Sequence, residues 1–146
     1  MQLTHRIKLL FALLYLLCAS AVAETLKDTA AARALTNQVM AKVGNGDLAG
    51  GVEVVRSFLI VPRAEFDVMI EQIKLQQPAM AQRFGRSIGH EFIREDKVGE
   101  NLLRIVHIQR FEKHAMRWTF YFYRGNDGWV LNTFKSDDDI QLLFPS

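Results

Sequence analysis

Apolar residues recur every three or four positions between Ala31 and Phe84 and every second position from Ile88 onward, so the chain reads as helices first and strands second. Leu35, Val39 and Val43 fall four apart with Ala31 and Ala32 on the adjoining face, which predicts a helix from Thr25 to about Val43, stopped by Gly44-Asn45-Gly46. Asp47 is placed to cap a second, shorter helix carrying the stripe Leu48, Val52, Val55 and Leu59. Gly50-Gly51 weakens that helix by about 1 kcal/mol per glycine relative to alanine, and a strand at Val52 to Val55 is the alternative. After Pro62, Phe66, Met69, Ile70 and Ile73 mark a third helix whose stripe continues at Met80 and Phe84. Pro78 lies inside it and lacks the N–H that an interior turn needs, so a kink or break is expected at Gln77, with Gly85 ending the last turn. Met69 and Met80 read as core filler at helical spacing.

From Ser87 the period becomes two. Ile88, His90, Phe92 and Arg94 share one face of a first strand, and Lys97 to Asn101 form the turn. Leu103, Ile105, His107, Gln109 and Phe111 line one side of a second strand, and Leu102, Arg104, Val106, Ile108 and Arg110 line the other. Met116, Trp118, Phe120 and Phe122 then alternate with Arg117, Thr119, Tyr121 and Tyr123 in a third. Gly125-Asn126-Asp127-Gly128 is a hairpin turn, and a final strand runs from Trp129 to about Lys135. The order implies an α+β domain, with N-terminal helices packed on one face of a curved antiparallel sheet of three to four or more strands.

The first residues change how the rest is counted. His5, Arg6 and Lys8 precede an apolar run from Leu9 to Leu17 and then Cys18-Ala19-Ser20-Ala21-Val22-Ala23, the plan of a secretory signal peptide cleaved after Ala23. The run is shorter than the roughly 20 residues that cross a bilayer as a helix. Lipidation at Cys18 is the rival reading, but Leu16-Leu17 lacks the small residue such a site wants before its cysteine. Removing 23 of 146 residues leaves 123, enough for one core and too few for two typical domains. The signal holds two of the 18 Lys+Arg and none of the 16 Asp+Glu, so the mature chain balances at 16 against 16 and carries no nucleic-acid footprint. The lone cysteine leaves with the signal, which excludes a disulfide-stapled scaffold.

The stretch Trp118-Thr119-Phe120-Tyr121-Phe122-Tyr123-Arg124, the hairpin Gly128-Trp129-Val130-Leu131-Asn132, and the tail Asp138-Asp139-Ile140 through Leu143-Phe144, taken with the helix-then-strand order, resemble the exported bacterial branch of the NTF2-like (cystatin-like α+β) superfamily. The resemblance covers most of the mature chain. It implies a conical domain with a pocket between helices and sheet, and it leaves the chemistry open, because that fold serves isomerases, dehydratases, transport factors and plain binding modules.

Enzymatic members of that superfamily work with carboxylates and histidines aimed into the cavity, which makes His90 and His107 the candidates for a general base. The competing role for each is a hydrogen-bonded core or rim histidine. His90 and Glu91 are consecutive on a strand and point to opposite faces, so they form no dyad. His90, His107 and His114 lack metal-site spacing, and Asp137-Asp138-Asp139 reads as an exposed acidic turn without the spaced oxygens of a calcium loop. No nucleophile elbow, phosphate loop or dinucleotide fingerprint occurs, and no cofactor or metal is expected. Tyr121 and Tyr123, with Arg104, Arg110 and Arg117 on the same face, are instead placed to meet a partner. The expected protein is an exported, periplasmic or extracellular, non-enzymatic binding or interaction domain, with a homodimer partner, a small apolar ligand or an envelope protein as its occupant. The alternative is a lyase or isomerase of a small apolar substrate with a cavity histidine as base.

Overall fold

The computed structural model describes residues 22–145, so most of the expected signal peptide lies outside the described residues. Three helices, α1 (Thr29–Gly44), α2 (Leu48–Glu53) and α3 (Arg63–Phe84), precede four strands, β1 (Ser87–Val98), β2 (Leu102–Phe111), β3 (Ala115–Arg124) and β4 (Trp129–Asp137), and a 3-10 turn at Ile140–Leu143. The strands pair in chain order as an antiparallel meander. The α+β expectation is met, with the helices packed against this sheet.

Local chemistry sets the helix ends. Asp28 holds extended backbone and its carboxylate accepts from the Ala31 N–H at 2.7 Å, so α1 starts at Thr29 rather than at Thr25. Leu26 is already engaged elsewhere, bridged to Trp129 across the edge of β4. Asp47 caps α2 through the Gly50 N–H at 2.9 Å, and a helix forms rather than the alternative strand, but it ends at Glu53: of the buried stripe Leu48, Val52, Val55 and Leu59, the last two lie in the turns that follow. The break expected at Gln77 does not occur: α3 runs unbroken through Pro78 for 22 residues. Pro78 and Lys74, whose carbonyl loses its usual donor, are both exposed, so water can serve that carbonyl.

Strand faces follow the alternation except where a bulge resets it. The register of β1 against β2 slips between Ser87 and Gly89, where Ile88 is left half-exposed, and again between Phe92 and Arg94. Phe92 therefore faces α1 while Arg94, expected on the same face, turns away and donates to the Leu142 and Leu143 carbonyls at 3.2 and 3.1 Å. Glu95 takes the helix-facing place instead and lies 3.9 Å from Arg33 of α1. A third slip, after Tyr121 in the β3–β4 pairing, lets both Leu131 and Phe134 join the core. Strand β4 extends beyond Lys135 to Asp137, which sits opposite Arg117; the acidic run is thus a strand end rather than wholly an exposed turn.

The core fills the space between sheet and helices. Leu35, Val39 and Val43 of α1 and Phe66 and Ile70 of α3 meet Leu103, Ile105, Trp118, Phe120 and Phe122 of the sheet. Trp118, Phe120 and Phe134 form a triangular aromatic cluster with all three pairs of centroids 6.0–6.4 Å apart.

Candidate functional site

Polar side chains enter the core at two points two residues apart on β2. Gln109 is fully buried and spends both ends: its amide nitrogen donates to the Val43 carbonyl at 3.1 Å and the Ser87 hydroxyl at 3.0 Å, and its oxygen accepts the Trp118 indole N–H at 3.2 Å. His107, also fully buried, is only half satisfied. Its Nε2 lies 3.0 Å from Thr36 Oγ1, and that hydroxyl gives its single proton to the Arg33 carbonyl at 3.0 Å. Nε2 must therefore carry the hydrogen and donate, leaving Nδ1 as a buried acceptor with no partner. Burial, with His90 and the Arg33 guanidinium nearby, lowers the His107 pKa to about 4, so the ring is neutral at pH 7.

That arrangement is unsuited to general base chemistry. Nδ1 is itself buried, and the Phe92 and Phe120 rings stand edge-to-face with the imidazole, their centres at 5.5 and 6.1 Å. His90 lies 6.3 Å from His107, ring centre to ring centre, against the backbone of Gly44, where an added Cβ would come within 3.0 Å of its ring. Among the described residues no carboxylate is bonded to either ring; Glu91 points to the opposite face and Glu95 is directed at Arg33. His114 stacks on Phe84 at 4.3 Å and approaches Asp138 at 3.9 Å. Among the described residues no group of three His, Cys, Asp or Glu side chains is arranged to hold a metal. Beneath α3 lie two small cavities of about 70 and 50 Å³, divided by Leu48 and Met80. Each has room for a water or two and none for a substrate.

The opposite face of the sheet is more open. Tyr121, Tyr123, Leu102, Asn132 and Thr133 line a groove of about 370 Å³ with Phe122 at its base. Leu102 stands opposite Tyr123 and Arg104 opposite Tyr121 in the β2–β3 register, so the patch is built on two paired strands rather than on a loop. Leu102 and Tyr123 are each 50% exposed, and Val98 across the hairpin is 69% exposed. Arg104 is held at the rim by Asp96 at 2.8 Å, and Asp96 also accepts from Arg94 at 3.2 Å.

Tyr121, Tyr123 and Arg104 thus converge, whereas Arg117 does not join them. It lies four residues back along β3, nearly buried, its Nε and Nη2 on the two Asp137 oxygens at 3.0 and 2.8 Å. The bidentate bond holds the Asp137 carboxyl below its usual pKa and raises that of Arg117. Arg110 is exposed at the far end of β2. The residues that the sequence pattern did not single out are Thr36, Arg33 and Gln109; Gln109 alone left a trace there, as a polar residue inside an apolar face. A further cleft of about 470 Å³ lies where the chain enters the domain, lined by residues from Val22 to Glu24 and by the α2–α3 connection.

No family model matches the chain, and neither a curated protein nor a solved structure does. No helix of the described residues is long and apolar enough to cross a membrane.

Proposed function

We propose that this is an exported, NTF2-like interaction domain without catalytic activity, and that it meets a protein partner through the sheet face bearing Tyr121 and Tyr123. The observation that carries the reading is the contrast across the sheet: around the buried histidine the helix side is packed, with cavities of water size beneath α3, while the opposite face offers an apolar groove edged by half-exposed Tyr123 and Leu102. Tyrosine gives a broad amphipathic contact with few rotatable bonds, which suits a docking surface. The ion-paired Arg104 and Asp96 at the rim supply both charge signs, so the face can pair with a second copy of itself in an isologous contact. The export part of the reading is supported by the charged, apolar and small-residue order of the first 23 residues.

The lyase or isomerase alternative draws no support from the site, since His107 is sealed and no carboxylate steers His90. The test is sedimentation velocity together with native mass spectrometry on the mature domain. A dimer that dissociates in Tyr123→Ser supports the sheet-face reading. A monomer at every concentration, with a small molecule retained in its mass, would replace it with a pocket.

A further inference from the structure

The bond at which the sequence predicts cleavage, Ala23–Glu24, lies immediately before the first backbone group that the fold grips. The Glu24 N–H donates to the Ser57 carbonyl at 2.7 Å, and two residues on, Leu26 and Trp129 exchange both of their backbone hydrogen bonds at 2.8 Å. The segment is clamped from the other side by Gly128, whose φ of 138° suits only glycine and where a Cβ would fall 2.6 Å from the Leu26 carbonyl oxygen. Val22 and Ala23 form part of the wall of the 470 Å³ cleft, whose remaining lining includes Arg56, Leu59, Val61, Arg63 and Phe66.

We propose that cleavage after Ala23 turns the Glu24 nitrogen into a structural α-ammonium, seated on the Ser57 carbonyl at the edge of this cleft. The inference rests on the cleavage reading and is independent of the sheet-face function. An ammonium keeps the one hydrogen bond the amide made and adds a charge, which shortens and strengthens it. Of the two guanidiniums lining the cleft, Arg56 is taken up by Glu53 and Asp67 at 2.7 Å each, and the remaining charged lining residues are Arg63 and Glu24 itself. Loss of Val22 and Ala23 also uncovers more of the apolar floor at Leu59, Val61 and Phe66, so processing opens the cleft at the same step that anchors its edge.

The experiment compares two purified proteins with defined ends, one beginning at Glu24 and one beginning at Val22, with the mass of protein exported through its own N-terminus. The α-amine of the Glu24 form is expected to titrate about one pH unit above the ordinary 7.7–8.0, a roughly tenfold preference for the ammonium. Because the folded pKa is raised, the stabilisation is present below about pH 7.7 and fades as pH rises through the folded value. The Glu24 form should therefore melt several degrees above the Val22 form at pH 6.5, with the gap closing by about pH 10. An ordinary titration with equal melting overturns the seated ammonium. An exported mass starting at any other residue overturns the proposal through its cleavage site, and leaves the titration of the defined proteins to be read separately.

Discussion

The two faces of β3 carry residues of similar size and opposite fate. Trp118, Phe120 and Phe122 vanish beneath the helices, while Tyr121 and Tyr123, one step out of phase, stand at an open groove. On the first face these three rings are almost wholly covered inside the molecule; on the second, half of Tyr123 still has contact surface to offer. A mutation on the inner face should thus read out as stability, and one on the outer face as association.

The largest effect is expected at Phe120, which is fully buried and touches Trp118, Phe134 and His107. Phe120→Ala removes most of an aromatic ring from a closed core and should lower unfolding free energy by about 3–5 kcal/mol, measured by urea denaturation. A loss near 1 kcal/mol would mean that the inner face is as yielding as the outer one.

His107 sharpens the contrast through pH. Its folded pKa of about 4 lies below the 6.5 of the unfolded chain, so the unfolded state binds more protons between those values. The stability it contributes is complete above pH 6.5 and falls as pH drops toward 4, by roughly 3 kcal/mol in all. Urea midpoints should therefore decline between pH 6.5 and 5, before most carboxylates titrate. His107→Leu should flatten that limb, because the Thr36 hydroxyl keeps its bond to the Arg33 carbonyl without the imidazole.

Gln109 makes a smaller, pH-independent version of the same test. Gln109→Leu matches its bulk but leaves the Trp118 indole N–H without an acceptor, while the Val43 carbonyl keeps the Gly46 N–H at 2.9 Å, and should cost about 2 kcal/mol at any pH between 5 and 8.

These inner residues also show where sequence periodicity stops being informative. The stripe Leu35, Val39 and Val43, the inward set of β2 and the two faces of β3 were all readable, because burial on one side imposes a period. Pro78 misled, since its effect depends on whether Lys74 faces water, which is a tertiary fact. The bulges after Phe92 and Tyr121 carry no residue signature of their own, and they moved Arg94 off the expected face and brought Phe134 into the core. Arg117 was grouped with the tyrosines by parity alone. The register that sets Asp137 opposite it, and so holds it away from the groove, appears only once β4 is placed.

The smallest change in stability is expected where the change in behaviour should be greatest. Tyr123 is half-exposed at the end of β3 and faces away from the core, so Tyr123→Ser should alter unfolding free energy by no more than about 0.5 kcal/mol. If the groove docks a second copy, the same substitution removes an aromatic anchor from both sides of a twofold contact, and self-association should weaken at least about tenfold in sedimentation experiments. Tyr123→Phe separates the two parts of that ring: dimerisation retained by phenylalanine assigns the contact to apolar area, and dimerisation lost assigns it to the hydroxyl. A Tyr123→Ser protein that both associates and unfolds like the parent would leave the outer face as inert as any polar sheet surface, and the difference between the faces of β3 would then be one of burial alone.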